Sequence, residues 1–161
     1  LPAFVLYEMD SPPSTPPHPQ AGNIARAEMP PSVVRDSRPL KDSVSLANTL
    51  FFLGISIYPD DDHWETETWW QAKDGPINRE FSIMAHLVTA DGNAVSVADG
   101  LGVSPLVLRF GDIIVQRHRF PKPHEGTDYW LRTGAYWLDT MERWRIDGAA
   151  DADTLLIALG H

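Results

Sequence analysis

Cysteine is missing from all 161 residues. No disulfide framework and no thiolate chemistry is open to the chain, and its compartment cannot be read from redox usage. Basic residues are scarce: 13 Lys and Arg face 22 Asp and Glu, a net charge of −9. Such a chain repels phosphate backbones and anionic lipid, so nucleic acid is not the expected partner. Long apolar runs are missing too. The longest, Leu46 to Tyr58, contains Asn48 and Thr49, whereas a bilayer span needs ~20 apolar residues. This chain is expected not to span a membrane, although a longer parent can. The first residue is Leu1 and no signal peptide is visible, which leaves open what precedes it. Ser82, Ser96 and Ser104 lie in no G-x-S-x-G elbow, and no phosphate-cradling glycine loop is present. No pair among His18, His63, His86, His118, His124 and His161 has H-x-x-x-H spacing, so zinc is not expected.

Hydrophobic residues make up 43 %, enough for one domain with a core of its own. The strongest local signal is Arg79 to Gly100. Phe81, Met84, His86, Leu87 and Val88 lie in one arm, and Val95 and Val97 in the other. Between them Asp91-Gly92 supplies the φ > 0 angles that tight hairpin turns demand. Upstream, residues 10–19 hold five prolines and read as an extended spacer. Leu1 to Tyr7 reads as an edge strand or a stub, and Asn23 to Glu28 as one helical turn. Residues 1–43 are therefore expected to be a Pro-rich spacer or strap, and 44–161 the folded domain.

Val44 to Tyr58 is the first strand region, with Gly54 as a candidate bulge. Strands are predicted near residues 48–58, 63–72, 79–90, 94–99, 112–120, 128–138, 142–147 and 154–159. About eight strands separated by turns, without an amphipathic helix, point to an all-β chain. The expected architecture is a two-layer antiparallel sandwich, jelly-roll or immunoglobulin-like.

Candidate chemistry concentrates on the second predicted strand. Period-two alternation puts Trp64, Thr66, Thr68 and Trp70 on one face, and Glu65, Glu67 and Trp69 on the other. Carboxylates are costly to bury unpaired, so the second face is expected outward, with Trp69 exposed beside Glu65 and Glu67. An indole covers sugar C–H faces while carboxylates accept hydroxyl protons; a protein interface or plain packing is the alternative reading. The Glu65–Glu67 spacing overlaps that of inverting glycosidases, but solvent-facing strands carry such pairs routinely. Asp60, Asp61 and Asp62 are the weak calcium candidate, read first as a solvated turn without the glycine and terminal Glu of an EF-hand. No other metal or cofactor is expected. His86, mid-strand, reads as a hydrogen-bonded structural histidine with Asp99 as candidate partner.

An ordered set of short motifs runs from Leu46 to Leu159. It comprises Phe52-Leu53-Gly54, Trp69-Trp70, Ala85-His86-Leu87, Asp91-Gly92, Asp99, Phe110-Gly111-Asp112, and Tyr129-Trp130-Leu131 through Gly134-Ala135-Tyr136. In order and spacing it resembles the soluble C-terminal domain of bacterial multi-pass membrane glycosyltransferase-like proteins, of the dolichyl-phosphate-mannose mannosyltransferase type. It departs at Ala85, where that pattern has Val, at Phe110-Gly111-Asp112 in place of Pro-Gly-Glu, and at Arg143-Trp144 in place of Arg-Leu. The resemblance implies residence on the extracytoplasmic side of a bacterial membrane. It makes His86, Asp99, Gly134 and Tyr136 structural motif residues and puts catalytic carboxylates in a missing parent. The expected function is a non-catalytic accessory sandwich that contacts glycan or a protein partner. The alternatives are a free carbohydrate-binding module and, less favoured, a small glycoside hydrolase.

Overall fold

The computed structural model describes residues 6–8, 24–26, 44–149 and 151–160. They form β1 (Leu6–Glu8), β2 (Ile24–Arg26), β3 (Val44–Leu46), β4 (Leu50–Pro59), β5 (His63–Ala72), β6 (Phe81–Val88), β7 (Ala94–Val97), β8 (Asp112–Pro121), β9 (Tyr129–Trp137) and β10 (Leu155–Gly160). Among them there is no α-helix, only a 3-10 turn at Pro105–Val107. No helix of the described residues is long and apolar enough to cross a membrane.

The strands make two five-stranded sheets. The front sheet runs β2-β8-β5-β4-β3 and the back sheet β1-β10-β9-β6-β7. Every pairing is antiparallel except β1 with β10. The expected all-β sandwich is therefore what the chain forms. Its topology also decides between the two architectures left open. The order β4-β5-β8 against β10-β9-β6-β7 is the A-B-E against G-F-C-C′ order of immunoglobulin-like sandwiches. A second hallmark agrees. At the start of β9 the Tyr129 hydroxyl accepts the His124 N–H at 3.1 Å, closing a tyrosine corner. Two residues on, where disulfide-linked immunoglobulin-like sandwiches have cysteine, Leu131 is fully buried.

Between the sheets lie Phe52, Ile55, Trp70, Ile114 and Phe120 from the front, and Phe81, Ile83, Leu87, Leu131, Leu155 and Ile157 from the back. Phe52 meets Trp70 edge-on with centroids 5.1 Å apart. A ladder shift between Phe52 and Gly54 marks a bulge, and Gly54 has φ 148, a conformation that suits glycine.

Three details differ from expectation. Val44 to Tyr58 is two strands, because Ala47 and Asn48 both take left-handed angles (φ 47 and 49) and turn the chain before Leu50. Residues 142–147 are not a ladder strand. Arg143 bridges to Tyr136 of the back sheet and Ile146 to Leu46 of the front sheet, so this segment links the layers. Ile24–Arg26, expected in a helical turn, is extended and pairs with β8, because partners on a sheet edge outweigh weak helical propensity. Within residues 1–43, β1 and β2 join the sheets; the expected spacer or strap otherwise lies outside the described residues.

Candidate functional site

Residues of β5 follow the predicted alternation. Trp70 enters the core, and Trp69, Glu67 and Glu65 turn to the outer face of the front sheet. Their exposure does not follow. Trp69 is 0 % and Glu67 1 % exposed, so the expected indole platform in open solvent is absent. The reason lies in the neighbouring strands. Leu53, Ile113 and Val115 pack with Trp69 into a second, smaller apolar cluster on that outer face. The run Ile113-Ile114-Val115 carried the signal, since an unbroken apolar stretch marks a strand covered on both faces.

Glu67 is held by ion pairing and hydrogen bonding. Its Oε1 lies 3.1 Å from Arg117 Nε, and the Tyr58 hydroxyl donates to Oε2 at 3.5 Å. Arg117 also lies 4.0 Å from Glu65. Burial, and then the charge of Glu67, push the Tyr58 phenol up to about 12. A guanidinium and a phenol thus occupy the oxygens that a general acid or nucleophile uses. Trp69 Nε1, on the same face, is buried without a hydrogen-bond partner among the described residues.

The four residues of the structural motif are brought together on the back sheet. Asp99 Oδ1 accepts the Ala85 N–H at 2.8 Å and lies 3.2 Å from His86 Nε2, while Oδ2 accepts the Tyr136 hydroxyl at 3.0 Å. From just beyond β7, Asp99 thereby satisfies a backbone donor of β6 and fastens two side chains of the adjoining strands β6 and β9. Tyr136 is raised above the usual phenol value, first by burial. Gly134 stands beside them, where a Cβ would come within 3.1 Å of the Asp153 carbonyl oxygen.

A polar contact that the sequence reading passed over crosses the interior. His118, fully buried, points inward between Ile114 and Phe120. Its Nδ1 lies 2.7 Å from the Ala98 carbonyl oxygen, which only accepts, so Nδ1 carries the proton. Nε2 then accepts the Thr68 hydroxyl at 2.9 Å. Burial holds this imidazole down at about 4, against the opposing pull of the Ala98 bond and Asp99. Two positions back, Gln116 Oε1 accepts the Gly102 N–H at 2.7 Å. Together they clasp the chain leaving β7 to the inside of the front sheet. Position 118 alternates with Ile114 and Phe120, so its burial was readable; its partners were not.

The two ends of the sandwich differ in chemistry. One end carries the loops 60–62, 89–93 and 122–128. There Asp60, Asp61, Asp62, Asp91, Glu125 and Asp128 lie with Lys122, while Arg119 reaches His63 and Arg132 donates to the Gly92 carbonyl oxygen from the adjoining strands. The candidate calcium residues do not converge. Asp60 Oδ1 accepts the Asp61 N–H at 2.6 Å and Oδ2 lies 3.7 Å from His63, and no metal-holding group of three or more carboxylate or imidazole side chains occurs among the described residues. The opposite end carries loops 73–80, 104–111 and 138–142. There Leu106, Val107, Leu138 and Met141 are half or more exposed, or nearly so, and Phe110 is 82 % exposed. The loops support one another. Ile77 N–H donates to the Pro105 carbonyl at 3.0 Å, Leu138 N–H to Glu80 at 3.1 Å, and Arg79 grips Asp139 at 2.7 Å while stacking over Trp137. Two surface grooves, of about 400 and 360 Å³, are lined by Met141, Glu142, Arg143, Arg145, Asp151 and Asp153, and by Asp62, His63, Arg119, Phe120 and Pro121. Neither has an indole in its lining.

No protein-family model matches the chain, and no curated protein or solved structure matches it.

Proposed function

We propose that this chain is a non-catalytic binding domain of immunoglobulin-like build that makes its contact through the apolar end. The observation that supports this reading is the segregation of exposed apolar side chains. Leu106, Val107, Phe110, Leu138 and Met141 all lie on loops of one end, and the opposite end is acidic. Exposed apolar groups gathered in one place mark interaction sites, whereas scattered ones do not. Glu67, the better placed of the two strand carboxylates, is already engaged by Arg117 and Tyr58. The ordered motifs described above favour an extracytoplasmic setting, as accessory to a bacterial membrane glycosyltransferase-like parent. A free carbohydrate-binding module loses its main support with the burial of Trp69.

Site-specific photo-cross-linking in cells tests the reading. A photoreactive residue replacing Phe110 is expected to give discrete adducts, and one replacing Glu125 at the acidic end none. Equal labelling from both positions, or none from position 110, removes the proposal. A panel of glycosides incubated with the chain is expected to stay intact; turnover of any of them revives the hydrolase reading.

A further inference from the structure

We infer that Asp74 and Gly75 form a site of spontaneous backbone modification, at which Asp74 is converted to isoaspartate through a cyclic imide. The chain has four Asp-Gly steps: Asp74-Gly75, Asp91-Gly92, Asp99-Gly100 and Asp147-Gly148. Glycine has no side chain to shield its amide nitrogen from the preceding carboxyl group, so each step is open to this chemistry in an unfolded chain. The fold separates them. Asp91 is held by the Thr89 hydroxyl at 2.5 Å and the Asn93 side-chain amide at 2.7 Å, and the Gly92 N–H donates to the Thr89 carbonyl at 2.8 Å. Asp99 is held by Ala85, His86 and Tyr136, and the Gly100 N–H donates to the Ile83 carbonyl at 3.0 Å. Asp147 accepts the Ser45 hydroxyl and the Asn48 N–H. Asp74 turns instead to its own glycine. Its Oδ1 accepts the Gly75 N–H at 2.8 Å, and among the described residues no other hydrogen bond or ion pair holds either group. Asp74 is also exposed, so water reaches the site.

The step balances with water alone. Gly75 N gives up its proton and bonds to Cγ of the protonated Asp74 carboxyl group, whose hydroxyl leaves with that proton as water. The fold already holds the reacting groups in contact, which removes the cost of bringing them together. Water then opens the ring at either carbonyl. One opening restores aspartate; the other routes the chain through the side chain, one methylene longer. The extra length falls where Gly75 packs against the Leu108 carbonyl and Ile77 bonds to Pro105. Modification therefore loosens loop 73–80 from loop 104–111.

Ageing of the full chain in warm, mildly acidic buffer tests this. After digestion, protein-isoaspartate methyltransferase with labelled S-adenosylmethionine reports the modified positions peptide by peptide. Label at Asp74 is expected to exceed that at Asp91, Asp99 or Asp147 about tenfold, since each of those must first break hydrogen bonds. In urea all the Asp-Gly steps are expected to react alike, which assigns the preference to the fold. Asp74→Glu is expected to remove the label there, because the longer side chain closes its ring far more slowly, and to leave the other positions as in wild type. Label no higher at Asp74 than elsewhere overturns the site. So does the same preference in urea, or a labelled 73–80 segment in Asp74→Glu. Hydrogen exchange at Ile77 is expected to quicken in aged wild type and not in aged Asp74→Glu; equal protection in both overturns the loosening.

Discussion

His118 is the residue with the clearest solution signature. Its folded value of about 4 lies below the ordinary imidazole value of ~6.5, so the unfolded chain binds the proton more readily. The stabilisation it gives is complete above pH ~6.5 and is lost as pH falls toward 4, by ~3 kcal/mol in all. Denaturant midpoints across that window are expected to fall less steeply in His118→Gln than in wild type; parallel profiles would contradict it. Tyr58 behaves oppositely on the alkaline side. It is expected to ionise near 12, followed by tyrosinate absorbance. Glu67→Gln is expected to move it part of the way down, since burial remains the first cause. No movement would show that the charge of Glu67 does not reach the phenol. The period-two pattern told which way each β5 side chain points, because alternation is a property of the strand itself. It could not tell what covers Trp69, because that depends on Leu53, Ile113 and Val115 from strands paired only after folding.

Among the elements, the long strands were legible and the short ones were not. β5 falls on the predicted residues 63–72, where Pro59 to Asp62 and Asp74-Gly75-Pro76 punctuate both ends. β1, β2 and β3 are three residues each and carry too few side chains to show a period. The turn at Ala47-Asn48 lacked a glycine to announce it. Gly75 illustrates a constraint that only the fold reveals. A Cβ there would collide with the Leu108 carbonyl oxygen, a backbone atom with nowhere to retreat. Gly75→Ala is expected to push loop 104–111 from loop 73–80 and to lower stability by about 1–3 kcal/mol, the usual cost of overpacking. Hydrogen exchange at Ile77, whose N–H bonds to Pro105, is expected to quicken; unchanged protection there would refute the coupling.

For the whole molecule, the two layers are tied at both flanks. On one side His118 and Gln116 reach Ala98 and Gly102; on the other, Arg143 to Ile146 bridges both sheets and Asp147 accepts the Ser45 hydroxyl at 2.5 Å. The exposed limit of this arrangement is β7, an edge strand without charge or proline that shows Val95 and Val97 to solvent. Such edges invite pairing with another chain. Val97→Lys is expected to slow aggregation on heating while changing stability by less than ~0.5 kcal/mol, as surface substitutions do. An unchanged aggregation rate would place the weak point elsewhere. The one parallel pair among the described strands, β1 with β10, has a mechanical consequence. Leu6 lies opposite Leu156 and Glu8 opposite Ala158, so the first and last strands point the same way, side by side. A tension applied between the chain ends draws them along their axes in opposite directions. The rungs between them are loaded together, in shear, and do not peel off one after another, so pulling force meets the pair at its strongest.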